Sequence, residues 1–443
     1  MELSKTQNIH QRGAIILIQN LTQVTLKKSE EPTTGKAGLA WINTAAQHFG
    51  FTRSLDTNLF QKYSPYSGSE KVMPFLLTFI AGGNRIEDIE MLRADHSLKN
   101  QLGQWQIASP DTIRNLAAMP GTTAKLMLVL NEMNVLAMKR CAVKQFTFDV
   151  DLTFIESQKD SATYNYNKEK SYGALLGFVS ELGTAITVDY RQGNVSPANG
   201  ISDQIKIAHA LAEKSGKRID AVRSDSAGHS KEVMNTCDEL GIRYFISMDL
   251  NSVVKECIKT TPERYWQAVP EQEGREWTET LYPMGGLTSD QAVRILVLRW
   301  KKNKPELFDH DGYGYHVIGT NDTQIKPMVW LEFHNGRMNS ENFNKEIKSG
   351  FGLDWSPSHN LTMNRNYFLL GLLAYNLLKV FQHFYLPQDY QHDQIRRLRF
   401  WFISVCGKLV SHARAFIYHV LNVTEETFLV FKHIHQKLLV TSS

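Results

Sequence analysis

The sequence predicts an α/β protein with a helical N-terminal domain and a β-rich insertion, because the spacing of its apolar residues changes twice along the chain. Up to about residue 140 they recur at helical intervals, and from Gln145 they alternate as in a strand. Between about 251 and 330, charged, Gly-containing and aromatic segments interrupt both patterns. Five segments follow: a helical region at 1–140 with a candidate DNA-binding helix, the first part of the core at 141–250, an inserted β-rich subdomain at 251–330, the rest of the core at 331–390, and a basic helical region at 391–443. With 443 residues, 42% of them hydrophobic, the chain can bury a sizeable core in two or three domains.

In the first segment, AWINTAAQHFGF and KVMPFLLTFIAGG carry helical periodicity broken by Gly and Pro. Ser109-Pro110-Asp111-Thr112 is a helix start, since Ser caps the free amides and Pro fits the first turn. The helix it opens, ending near Pro120 with Arg114 exposed, reads equally well as DNA-binding or as packing.

In the core, Phe146, Phe148, Val150 and Leu152 share one strand face, and Thr147, Asp149, Asp151 and Thr153 the other. Strands at 175–182 and 185–191 precede a helix over Ile201–Lys214, striped by Ile201, Ile205, Ala208 and Leu211. A strand at 218–225, a helix at 231–240 and the alternating Ile242, Tyr244, Ile246 and Met248 complete a β-β-β-α-β-α-β order. AVRILVLRW is a strand of the insertion. A helix bearing Glu341, an apolar helix near 367–384 and a basic segment with Arg396, Arg397, Arg399, Lys408 and Arg414 follow.

Charge and cysteine content narrow the function classes. The net charge is +4, from 49 basic and 45 acidic residues, so local charge decides any nucleic-acid role. Cys141, Cys237, Cys257 and Cys406 form no CxxC pair, which argues against a zinc ribbon or a disulfide framework. Residues 1–11 lack the apolar stretch of a signal peptide, and Asn376, Lys379, Gln382 and His383 interrupt the apolar run at 367–386. The expectation is a cytoplasmic protein without a membrane span. Gly312, Gly314 and Gly319 lack the context of a nucleotide loop, and His433-Ile434-His435 lacks a nearby acid and reads as packing or surface histidines.

Three carboxylates stand where this topology can gather them: Asp151 and Asp225 at strand ends, and Glu341 on a later helix. Such a set suits hard Mg²⁺, and paired ions support in-line phosphoryl transfer. Asp149 shares the strand face of Asp151 and competes with it as the ligand. On a continuous helix, His334, Arg337, Lys345 and Lys348 fall within about 40° of Glu341, while Glu346 lies about 140° away. That cationic face suits phosphates around a reacting one; ordinary i to i+4 pairing of a charged helix is the competing explanation.

HNGRMNSENFNKEIK matches the Tyr-x2-Arg-x3-Glu-x6-Lys signature at Arg337, Glu341 and Lys348, with His334 in place of the Tyr. The chain thus resembles DDE-superfamily transposases of bacterial insertion sequences. GGNRIEDIEMLRADHSLKNQLGQWQIASPDTIRNLA and the text after the signature extend the resemblance over roughly residues 80–415. It implies a ribonuclease-H-like mixed-sheet core, with Asp151 in Asp-Leu-Thr, Asp225 in VRSDSAGHS, and Glu341 as catalytic metal ligands. It also implies His334, Arg337, Lys345 and Lys348 as DNA contacts, and two Mg²⁺ ions with Mn²⁺ able to substitute. The implied activity is cleavage of transposon ends and strand transfer into target DNA, by a homodimer on terminal inverted repeats in the bacterial nucleoid. Trp266, Trp277, Trp300 and Trp330 are candidates for holding a flipped base, with core packing the alternative for each. Two other readings stay open: a silent transposase-derived DNA-binding protein, and a ribonuclease-H-like nuclease without strand transfer.

Overall fold

The computed structural model describes residues 31–104, 106–287, 292–302, 312–412 and 415–441. Residues 33–443 make one compact unit; of the other, 1–32, only the last two residues are described.

Helices α1 (Gly38–Phe49), α2 (Phe51–Asn58), α3 (Gly68–Ala81), α4 (Ile89–Ala94), α5 (His96–Gln101), α6 (Pro110–Ala118) and α7 (Thr122–Arg140) form the N-terminal region, as its periodicity predicts. Their boundaries follow local chemistry. A reciprocal Ser67–Glu70 capping box opens α3, and the Ser109 hydroxyl accepts from the Thr112 amide at the start of α6 with Pro110 in its first turn. Arg114 on α6 is paired with Glu87 and Asp111 within the chain, so its charge is already engaged.

The core strands are β1 (Gln145–Glu156), β2 (Thr163–Tyr164), β3 (Lys170–Val179) and β4 (Thr184–Gln192). Helix α8 (Ile201–Lys214), β5 (Arg218–Ser224), α9 (Lys231–Glu239) and β6 (Arg243–Ser247) follow. Strands β4-β3-β1-β5-β6 lie side by side; β4, β5 and β6 run in the direction of β1, and β3 alone of the five is antiparallel. This is the mixed α/β, ribonuclease-H-like arrangement that the sequence predicts. After α10 (Ser252–Thr260), strands β7 (Gln267–Ala268), β8 (Arg275–Tyr282), β9 (Val293–Lys301) and β10 (Tyr313–Thr320) are β-rich as expected, but they do not stand apart. β10 pairs antiparallel with β6, so ten strands of the described residues make one sheet. The pairing joins residues some seventy positions apart, such as Ile318 and Ser247, which no local pattern encodes.

Helices α11 (Pro327–Asn335) and α12 (Met338–Lys345) come next, and α12 runs into a π-turn at Glu346–Gly350. Helix α13 (Leu361–Tyr385) is the buried spine of the molecule and packs on α3, α6, α7 and β4. One of its buried polar residues ties it to the sheet: the Asn376 side-chain amide bonds both the N–H and the C=O of Ala185 on β4, at 2.9 and 2.7 Å. No helix among the described residues is long and apolar enough to cross a membrane. The C-terminal region is less helical than its composition predicts. Helix α14 (Ile395–Leu398) and a π-turn at Arg399–Ile403 lead into a hairpin, β11 (Cys406–His412) and β12 (Ala415–Leu421). Helix α15 (Glu425–Thr441) closes the chain and carries His433 and His435; Arg414 lies outside the described residues.

Candidate active site

Sheet register sets the geometry of the two aspartates. Val150 of β1 is the partner of Ser224, the last residue of β5. Asp151 therefore begins the stretch of β1 that outruns β5, and Asp225 follows directly where β5 stops. Asp151 sits in mid-strand, since β1 continues to Glu156 against β3, where the sequence pattern places a strand end. Asp225 starts a short 3-10 turn, its Oδ1 accepting from the Ala227 amide at 3.0 Å.

Asp149 and Asp151 share a strand face and have different surroundings. Asp149 is fully buried and held by two guanidinium nitrogens of Arg223, Nε at 2.6 Å and Nη2 at 2.8 Å. Arg223 also donates to the Ser180 hydroxyl and the Phe333 carbonyl, so this carboxylate is locked into a structural network. Asp151 keeps 15% of its side chain exposed and accepts one hydrogen bond, from Asn344 Nδ2 to its Oδ2 at 2.7 Å. Burial first, and then repulsion from Asp225, push the Asp151 carboxyl up to about 6; Glu341 adds to the rise, and Arg337 and Asn344 oppose it.

Helix α12 packs on β1 and brings Glu341, Arg337 and Asn344 to this face. Glu341 Oε1 accepts from Arg337 Nη2 at 2.9 Å, and Arg337 Nη1 lies 3.9 Å from Asp151 Oδ1. One guanidinium thus stands between two of the three predicted acids. Glu341 remains largely exposed, with 56% of its side chain accessible.

The predicted cationic face is only partly assembled. Arg337, Asn339 and Ser340 make i to i−3 backbone bonds, a tightened turn between α11 and α12. A turn of that kind advances roughly 20° more per residue than an α-helix, which rotates His334 away from the face of Glu341. His334 is buried on the sheet side, its Nδ1–H directed to the Phe245 carbonyl at 3.2 Å and its Nε2 at 3.0 Å from the Ser247 hydroxyl. Burial, His316 and Arg337 push its pKa down to about 3, so it is a neutral structural imidazole and carries no cation for a phosphate. Lys345 is exposed, and Lys348 donates to the Phe154 carbonyl at 2.9 Å. Glu346 turns inward, forming an ion pair with Lys379 and accepting from the Ile395 amide, each at 2.7 Å.

Of the four tryptophans near the insertion, Trp330 is fully buried and Trp266, Trp277 and Trp300 are partly so. Arg299 covers Trp266 at 4.0 Å and Arg275 covers Trp300 at 5.5 Å. Asn344 is the site residue that sequence reasoning missed. Its only local signal is its place three positions after Glu341, one helical turn on.

The donor chemistry fits divalent metal. Two strands and a helix offer hard oxygen donors within electrostatic reach of Asp151, whose carboxylate lacks full compensation. The Asn344 side-chain oxygen beside it is buried without a hydrogen-bond partner. As arranged, no three His, Cys, Asp or Glu side chains among the described residues stand close enough to enclose an ion, and Glu341 is paired with Arg337.

Sheet order thus sets Asp151 on β1 beside Asp225 at the end of the adjoining β5, with Glu341 on the helix that packs against β1. The chain belongs to the family described as Transposase DDE domain group 1, which matches residues 18–439. Comparison with curated proteins gives no match. Among solved structures, the chain is similar to a piggyBac transposase synaptic complex with hairpin DNA, at 10% identity and a TM-score of 0.42, covering 84% of this chain and 80% of that one.

Proposed function

We propose that this transposase cleaves the ends of its own element in a metal-dependent reaction and joins the freed 3′ ends to target DNA. The observation that carries this reading is the register of β1 on β5, which sets Asp151 beside Asp225 on the face where α12 brings Glu341. Asp151, Asp225 and Glu341 would hold two Mg²⁺ ions, or Mn²⁺ in their place. Bound there, such ions would supply an activated attacking oxygen and neutralise charge on the leaving one.

The protein's own contribution is positioning. Asn344 fixes Asp151 through one carboxylate oxygen and leaves the other open. Arg337 compensates Asp151 and Glu341 in the free protein and is placed to transfer to a DNA phosphate once those acids engage a cation. Lys345 is the exposed partner for a second phosphate, and Lys348 steadies the strand beyond Asp151. Water held at the acids would nick the transposon end, and the 3′-hydroxyl so released would attack the second phosphodiester without a covalent protein intermediate. Terminal inverted repeats and target duplex are the proposed DNA partners, bound by a homodimer in the bacterial nucleoid.

The test is cleavage and joining of labelled end DNA with Mg²⁺, Mn²⁺ or EDTA. Metal-dependent nicks and joined products are expected, and both should fall at least about 10³-fold in Asp225→Ala and Glu341→Ala. Hydrolysis without joined products would assign a nuclease, and DNA binding without breakage a silent regulator. Full activity in either variant would overturn the site.

A further inference from the structure

The basic segment after α13 contains arginines with two different fates. Arg399 is drawn inward, donating to the Ile80 and Phe79 carbonyls at 2.8 Å each, and so closes the C-terminal end of α3. Arg396 and Arg397 stay exposed; Arg397 keeps an ion pair with Asp393 at 3.1 Å, and 62% of its side chain is accessible. Beside them the π-turn at Arg399–Ile403 holds two aromatic rings out in solvent. Phe400 is 73% exposed and Trp401 44%. Their rings meet edge to face at 5.2 Å. Every other tryptophan among the described residues is less exposed, including the four beside the insertion.

This patch is coupled to the helix of the candidate site. Glu346, next in sequence to Lys345, accepts from the amide of Ile395, next in sequence to Arg396. The Lys379–Glu346 ion pair braces the joint from inside. The Glu346–Ile395 bond thus ties the backbone just before Arg396 to the residue after Lys345, linking the segment of Arg396, Arg397, Phe400 and Trp401 to the end of α12.

Exposed aromatics interleaved with arginines match a nucleic-acid strand: the cations meet phosphates, and the rings offer faces for bases. In duplex DNA those base faces are occupied by neighbouring pairs, so the rings select unpaired bases. We propose that Arg396, Arg397, Phe400 and Trp401 form a platform for single-stranded or locally unpaired DNA beside the cleavage site. The proposal deepens the transposase reading by naming which DNA state the protein holds there.

The experiment measures fluorescence anisotropy of labelled oligo-dT and of a blunt mixed-sequence duplex, in EDTA and over a range of salt. Phe400→Ala/Trp401→Ala should weaken oligo-dT binding about tenfold or more and duplex binding much less, with Trp401→Phe restoring most of the loss. Arg396→Ala/Arg397→Ala should lower the salt slope on single strands by about 1.4. Thermal melts of each variant confirm folding. Unchanged oligo-dT affinity in the aromatic double variant would overturn the platform. So would loss of self-association in sedimentation with DNA binding intact, which would make the patch a contact between copies. Because binding in EDTA needs no cleavage, failure of the platform and failure of the transposase reading are told apart: the first is read in oligo-dT affinity, the second in strand breakage and joining.

Discussion

Arg223 closes on Asp149 with two guanidinium nitrogens, two residues before Asp151 on the same face of β1. The pairing separates two acids that the strand pattern alone leaves equivalent. Removing Asp149 strands a buried guanidinium, so Asp149→Ala should destabilise the fold by about 3–5 kcal/mol. Urea denaturation measures it, and Asp149→Leu/Arg223→Met should recover much of the loss. A stable Asp149→Ala protein that had lost only metal-dependent cleavage would instead make Asp149 the ligand.

Asp151 gives the metal-free protein a distinctive pH response. Its folded pKa, about 6, lies above its ordinary 3.8, so its contribution to stability is fully present below pH 3.8 and is lost as pH rises through 6. Asp151→Asn should therefore stabilise the protein in EDTA at pH 7.5 by about 1–3 kcal/mol, with the gain vanishing near pH 4. Denaturant titrations at both pH values read the difference. Loss of cleavage should accompany the gain.

His334 has the opposite sign. Its folded pKa, about 3, is below its ordinary 6.5, so its contribution is present above pH 6.5 and is lost as pH falls towards 3. His334→Gln should flatten the acid-side decline, sparing about 2–3 kcal/mol between pH 6.5 and 4. The same variant should leave the salt dependence of DNA binding unchanged, whereas Lys345→Ala should reduce the duplex slope by about 0.9.

The Lys379–Glu346 pair joins α13 to the turn that follows α12, with about a tenth of each side chain exposed. Lys379→Met leaves a buried carboxylate uncompensated and should cost about 3–5 kcal/mol, measured by urea denaturation. Glu346→Gln keeps an oxygen for the Ile395 amide and should cost less.

The sequence discloses what is local. The alternation in β1, the stripe of α8 over Ile201–Lys214 and the Ser109 cap of α6 appear where composition places them, because each depends on residues within a few positions. What it conceals is set by contacts far along the chain. A Cβ on Gly336 would come within 2.2 Å of Arg223 Nη1, and the same guanidinium bonds the Phe333 carbonyl; these are tertiary constraints on the turn that rotates His334 away from Glu341. Likewise, pairing of β10 with β6 and the burial of Glu346 have no neighbouring signature, and the Asn344–Asp151 bond spans 193 positions.

The side-chain amide of Asn376 has a consequence for assembly. By occupying both backbone groups of Ala185, while Arg365 takes the Tyr190 carbonyl, the spine helix seals the rim of β4. A foreign strand would find the hydrogen-bonding valences at those positions already filled. At those positions the flank offers a partner side-chain shape and charge in place of free backbone.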